Sequence, residues 1–263
     1  MAEGMVMSPG TLLGDCGIGP GGGFDTIPGG VIAPPDQGSG HKPPYSAMTP
    51  LAFKQAQWDP ILLADLLLAE FLRTDWIAAL QAIPGDPPSN DSEIGSLIAS
   101  SALRADRSDE IMRQANDLRV YWINAVGSAS TKPVTWTLIE ASLAIGRVVG
   151  MYFKNVYKRP RPVHVYPALM PLLLTPRHPS YPNNHALQSR LVARTLGAIA
   201  PLVLEPMLAL ADRIGGNREI AGLHFPSDSV AGAKLADALA PLVQKNTMFA
   251  DLIASASAEW YDG

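Results

Sequence analysis

The chain of 263 residues is almost without cysteine. Its one thiol, Cys16, cannot close an internal disulfide, so no disulfide framework and no cysteine chemistry are expected. A basic excess is also missing: 20 Lys and Arg against 24 Asp and Glu leave a net charge of -4 at pH 7. Nucleic acid is therefore not an expected partner, because binding a polyanion draws on clustered positive charge; any anion site has to be local. No basic start followed by an apolar core and a small-residue cleavage site is present, so the expected location is the cytoplasm, or the periplasm if a leader has been removed. Long uncharged apolar runs are lacking too. Ile61 to Leu72 is interrupted by Asp65 and Glu70, Trp136 to Phe153 by Glu140 and Arg147, and Leu191 to Leu210 by Arg194 and Glu205. None reaches the roughly 18 uncharged apolar residues a spanning helix requires, so the expectation is a soluble protein with no membrane span. Strand-like alternation and internal repeats are absent as well. The five histidines form no HxxxH-type cluster and no acidic group sits beside them at ligand spacing, so neither a divalent metal nor another cofactor is expected.

What is present is a core-forming composition, 47% hydrophobic and 17% charged, which excludes a largely disordered chain. Residues 1–48 are dense in Gly and Pro and read as an irregular arm, either a disordered leader or an extended strap carrying Phe24, Ile27, Val31 and Ile32. Residues 49–263 read as one all-α domain, a helical bundle. Apolar residues recur at three-to-four spacing from Asp59 (Leu62, Leu63, Leu66, Leu67, Phe71, Leu72), and helices are expected from near Ser92 and over Asp109 to Val126. Further helices are expected over Trp136 to Tyr157, His185 to Ile214, Asp228 to Leu242 and Asn246 to Trp260. A Pro-rich loop, Val163 to Tyr181, offers Tyr166, Leu172, Leu173 and Tyr181 for either substrate contact or ordinary packing. The arm and the abundant apolar helices leave room for a homo-oligomer.

Three segments carry chemistry. The first, Lys154 to Pro162, puts Lys154, Lys158, Arg159 and Arg161 beside a helix stop forced by Pro160 and Pro162. It reads as a basic helix cap favoured by the dipole or as an anion clamp, with Arg161 forking onto two oxygens and Lys154 acting as a point charge. In the second, His178 to Leu187, a Pro-rich loop turns into a helix. Asn183 or Asn184 is a good N-cap, and the free N–H groups of that first turn make an anion seat. His185 at its edge is either a surface polar residue or a proton donor. The third, Asn217 to Asp228, supplies Arg218 to complete the clamp and His224 as nucleophile or ligand, with Asp228 four residues on to fix the imidazole tautomer. A His–Asp pair that merely caps the helix near Pro226 would explain His224 and Asp228 but not Arg218.

Together these segments resemble the three-part signature of the type 2 phosphatidic acid phosphatase superfamily, which includes bacterial class A acid phosphatases and vanadium haloperoxidases. Lys154 with Arg161-Pro162, then Pro182 with His185, then Arg218, His224 and Asp228 match it in order and spacing over residues 136–235. Asn183-Asn184 stand where the family has Ser-Gly, and Asn217 where it has Ser. The resemblance implies an all-α bundle of the acid phosphatase/vanadium haloperoxidase type and a phosphoric monoester hydrolase that takes a small-molecule phosphate ester. It implies that His224 attacks phosphorus to give a phosphohistidine stabilised by Asp228. His185 would protonate the leaving alcohol, and Lys154, Arg161, Arg218, Asn183 and Asn184 would hold the oxygens. An asparagine at the family's glycine position is expected to bring its side chain close to those oxygens. The alternative implied is a haloperoxidase in which vanadate, held through His224, serves as cofactor, with His178 placed to influence halide oxidation.

Overall fold

A computed structural model describes residues 58–261. The expected arm and its boundary at residue 48 lie outside the described residues. Every regular element among them is helical, the all-α class expected.

The helices, in chain order, are α1 (Pro60–Leu72), α2 (Trp76–Leu80), α3 (Ile94–Ser101), α4 (Arg104–Asn116), α5 (Arg119–Val126), α6 (Pro133–Tyr157), α7 (Pro162–Val165), α8 (Asn184–Ile199), α9 (Leu204–Ile220), α10 (Pro226–Gln244) and α11 (Thr247–Tyr261). Local chemistry accounts for their starts. Asp59 Oδ1 accepts from the N–H groups of Ile61 and Leu62 at 2.9 and 3.3 Å, and Pro60 fills the first helical position of α1, where no N–H is needed. For α6 a distant carboxylate replaces the cap: Glu259 on α11 accepts from the N–H groups of Val134 and Thr135 at 2.8 and 2.9 Å.

Helices α1, α8 and α11 pack on α6, and α9 and α10 pack on α8. Leu138, Ile145, Val149, Leu187, Leu191, Leu196, Ile214, Leu235 and Leu239 fill the space between them, all buried. One close crossing sets the site. A Cβ added at Gly232 of α10 would stand 2.5 Å from the backbone oxygen of Asn183 and 3.1 Å from the nitrogen of Leu187. Neither backbone atom can rotate away, so Gly232→Ala should destabilise the fold by about 1–3 kcal/mol, measured by urea unfolding. An unchanged midpoint would mean that α8 and α10 separate without cost.

Several expectations need correction. The helix expected over His185 to Ile214 is two helices, because Pro201 has no N–H to continue α8; Ala200 turns extended and a 3-10 turn, Pro201–Val203, leads into α9. The helix expected from near Ser92 starts at Ile94, after a 3-10 turn at Asn90–Glu93 in which the Ser92 hydroxyl donates to the Ser89 carbonyl. The stretch Asp109 to Val126 breaks at Asp117, whose carboxylate accepts from the N–H of Arg119 at 2.9 Å. The expectation of no membrane span also fails. The stretch Pro133–Val165 is long and apolar enough to cross a membrane by length and composition, with 72% of its most apolar window buried inside the protein. That window of 18 residues carries no more than two charged side chains, and Glu140 lies 3.7 Å from the Arg119 guanidinium.

Candidate active site

Lys154 sits in the last turn of α6, Arg161 just before α7, His185 in the first turn of α8, and Arg218 in the last turn of α9; His224 lies in the following loop and Asp228 in the first turn of α10. The fold brings all six together. Arg161 Nη1 donates to His224 Nε2 at 3.0 Å and to the Leu223 carbonyl at 2.9 Å, while its Nη2 lies 3.0 Å from His178 Nδ1. A guanidinium can only donate, so His224 Nε2 is the lone-pair nitrogen and Nδ1 carries the proton. That Nδ1–H faces Asp228 Oδ2 at 3.1 Å. The imidazole is thus held in the tautomer a nucleophile needs.

Lys154 donates to three carbonyls in the second segment, those of Pro179, Ser180 and Pro182, at 3.0, 2.7 and 2.5 Å. It ties the end of α6 to the loop entering α8. Arg218 Nη2 donates to the Ile111 carbonyl at 2.9 Å, and its Nε is buried without a partner.

The two asparagines behave differently from expectation. Asn183 caps α8: its Oδ1 accepts from the N–H groups of His185 and Ala186. Its Nδ2 donates to the Gly215 carbonyl and the Ser229 hydroxyl, and its own N–H donates to the Asp228 carbonyl. All three of its N–H hydrogens are used, so Asn183 positions the helix start and has no donor left for an anion. Asn184 Oδ1 lies against α6, where a Cβ on Gly150 would come within 1.8 Å of it. The carbonyl end of this side chain therefore occupies a notch left by a glycine, a correction to the expectation that it lies beside the oxygens. Asn217 likewise turns to α4, donating to Glu110 and Gln114 at 2.9 and 3.0 Å. Tyr181 is buried and donates its hydroxyl to the carbonyls of Pro84 and Gly85, so it anchors the loop. Leu172 and Leu173 pack against Ile111, Ala221 and Leu223.

Sequence reasoning missed Ser180, Arg159, Glu93 and Gln114. Ser180 donates to Asp228 Oδ2 and lies 3.4 Å from His224 Nδ1. Arg159 Nη1 donates to Asp228 Oδ1 at 2.7 Å, and Nη2 donates to Glu93 Oε2 at 2.8 Å. Only Arg159 had a signal, as one of four cations beside the helix stop.

The charge balance is lopsided. Among the described residues Lys154, Arg159, Arg161 and Arg218 are buried, against a single buried carboxylate, Asp228, which Arg159 engages. No described carboxylate pairs with Lys154, Arg161 or Arg218 within 4.0 Å. The histidines register this field. Burial, then Arg161 and Lys154, hold the His224 imidazolium well below its usual range. Burial, then Arg218 and Lys154, lower His185 to about 3, and burial, then Lys154 and Arg161, lower His178 to about 4. Burial pushes the Asp228 carboxyl up, while Ser180, Arg159 and the Phe225 N–H pull it back.

No family model matches the chain. Two relatives, from the CDC 1551 and H37Rv strains of Mycobacterium tuberculosis, are 30% identical to it over 112 residues and are named decaprenylphosphoryl-5-phosphoribose phosphatase. The match takes in 41% of this chain and 59% of the relatives' length. A solved structure described as the first transmembrane PAP2-type phosphatidylglycerolphosphate phosphatase, from Bacillus subtilis, is similar at 18% identity and a TM-score of 0.43, over 71% of this chain and 94% of that one. The expected cytoplasmic or periplasmic location is overturned together with the absence of a span. The chain contains a stretch able to cross a bilayer, and the relatives are named for a lipid-linked substrate. The residues of the three-part signature are gathered at one point of an all-α fold, and the relatives this chain matches over 59% of their length are named as a phosphatase.

Proposed function

We propose that this protein is a phosphatase that hydrolyses phosphomonoesters through a phosphohistidine at His224. The observation that carries the reading is the group of three buried cations, Lys154, Arg161 and Arg218, without a carboxylate partner among the described residues and gathered around an imidazole whose Nε2 is a lone pair. Buried charge without a counter-charge costs several kcal/mol, and a phosphate dianion supplies the missing charge.

The chemistry follows from the positions. Arg161 exchanges its hydrogen bond to His224 Nε2 for one to a phosphoryl oxygen, which frees the lone pair. His224 Nε2 forms the N–P bond as the P–O bond to the alcohol breaks in line, and Asp228 offsets the charge that appears on the ring. Lys154, Arg161 and Arg218 meet the charge that spreads over the equatorial oxygens. His185 gives its proton to the leaving oxygen, then takes one from the water that cleaves the N–P bond. With a pKa near 3 in the free protein, His185 is protonated only when the incoming dianion reverses the local field. The site therefore arms its acid by binding substrate.

For the alcohol we infer a lipid-linked group, as in the name of the relatives. Met170 and Leu174, in the loop after α7, are 75% and 93% exposed beside the segment that carries His224. The test is hydrolysis of p-nitrophenyl phosphate and of a prenyl-linked sugar phosphate in mixed micelles, with acid-quenched 32P to trap the phosphoenzyme. No hydrolysis of either would sink the reading; bromination that requires added vanadate and peroxide would assign the haloperoxidase alternative. His185→Ala should cut turnover of an alkyl phosphate by about 100-fold and that of p-nitrophenyl phosphate far less, because a good leaving group needs little protonation. Equal losses would remove His185 from the acid role.

A further inference from the structure

The signature residues do not account for a second, partly buried cluster behind Asp228. Arg159, 3% exposed, lies with its guanidinium 3.9 Å from the centre of the Phe225 ring. It is shared between two carboxylates: Nη1 reaches Asp228 Oδ1 at 2.7 Å, and Nη2 reaches Glu93 Oε2 at 2.8 Å. Its Nε donates to Asn90 Oδ1 at 3.0 Å, and Nη1 also meets the Ser227 hydroxyl at 2.7 Å. Glu93 in turn accepts from the Ser227 N–H at 2.7 Å and from the Ser227 hydroxyl at 2.6 Å.

We infer that Glu93 and Arg159 form, with Asp228 and His224, a four-member charge chain in which Glu93 is a positioning residue that sets the basicity of the nucleophilic imidazole. The inference rests on the proposed role of His224. Asp228 stabilises positive charge on His224, both in the protonated imidazole and in the phosphohistidine. A cation bound to Asp228 alone would cancel most of that effect. Glu93 holds the other side of the same guanidinium, so the chain Glu93, Arg159, Asp228 carries a net negative charge towards the ring. Removing the Glu93 charge leaves Arg159 and Asp228 as a neutral pair, and the imidazole becomes a weaker base and a weaker nucleophile.

A role confined to structure predicts something else. Glu93 also braces the first turn of α10 through Ser227, and loss of that bracing alone would lower stability without changing the protonation of His224. Glu93→Gln and Ser227→Ala separate the two. Ser227→Ala removes the hydroxyl's hydrogen bonds with Glu93 and Arg159, keeps the N–H bond to Glu93 and leaves every charge in place.

The experiment is the pH profile of kcat/KM for p-nitrophenyl phosphate in the full chain, run beside 15N NMR of imidazole-labelled protein to follow the His224 ring directly. For Glu93→Gln we expect kcat to fall about tenfold and the acidic limb to move to lower pH, by about one pH unit, with the His224 resonance titrating in step; a tenfold change corresponds to about 1.4 kcal/mol. Ser227→Ala should keep the limb and the resonance where they are in the parent protein. If Glu93→Gln leaves both unshifted, or if Ser227→Ala moves them equally, the charge chain is wrong. The NMR arm reads the ring without turnover, so a protein that hydrolyses no ester would overturn the proposed phosphatase reaction and still decide this inference.

Discussion

His224→Ala is expected to bring phosphomonoester turnover down to background while leaving the helical fold in place. His224 has its lone pair committed to Arg161 on one nitrogen, and its tautomer is fixed from the other side by Asp228. Without it the three cations still bind phosphate, but the covalent route is closed and water must attack the phosphorus unaided. Residues that act as a unit lose most of the rate when one is removed, often by about 10^6 in kcat. Circular dichroism should be close to the parent, because alanine removes a buried ring that faces polar partners and leaves the core beneath it intact. Inorganic phosphate should still bind, which isothermal titration would read. Turnover above a hundredth of the parent would rule out His224 as the nucleophile.

Arg159→Met should be the most damaging single change to stability. The side chain is long enough to fill the same space, so the cost comes from electrostatics: Asp228 and Glu93 lose a shared cation in a buried setting. Removing one partner of a buried pair costs about 3–5 kcal/mol, because the remaining charge has no counter-charge. Urea unfolding at pH 7 is the measurement. Adding Glu93→Gln to Arg159→Met should recover part of the loss, since one of the two stranded carboxylates is then neutral. If the single and double variants unfold at the parent's midpoint, Arg159 is not the charge bridge its hydrogen bonds describe.

Much of the bundle was legible because its signals are local. Apolar spacing and Pro stops give α1, α6, α10 and α11 to within a few residues, and the resemblance carried by Lys154, Arg161, His185, Arg218, His224 and Asp228 implies that they meet at one point. What was not legible depends on partners far away in sequence. Glu93 reaches Arg159 across 66 positions, and no short pattern marks either its residue type or its neighbours. Asn183 resembles an anion contact in sequence, yet its oxygen caps α8 and its three N–H hydrogens go to the Gly215 carbonyl, the Ser229 hydroxyl and the Asp228 carbonyl. Glu140 and Arg147 interrupt Trp136 to Phe153 in the sequence, but whether a helix faces protein or lipid is decided by its neighbours, and Glu140 meets Arg119. Pro201 was overlooked inside an otherwise continuous periodic stretch, and its missing N–H set the boundary between α8 and α9.

The notch at Gly150 has a consequence for how this site can vary. The side chain of Asn184 is accommodated by a glycine on a different helix, and any side chain at position 150 would meet it. The two positions therefore behave as one volume divided between two helices. A history in which asparagine arrived at 184 before glycine arrived at 150 would pass through a form with a collision at the mouth of α8; the reverse order would pass only through a small gap. The order in which the two substitutions can accumulate is thus set by steric cost, and transplanting Asn184 into a relative without its glycine should fail.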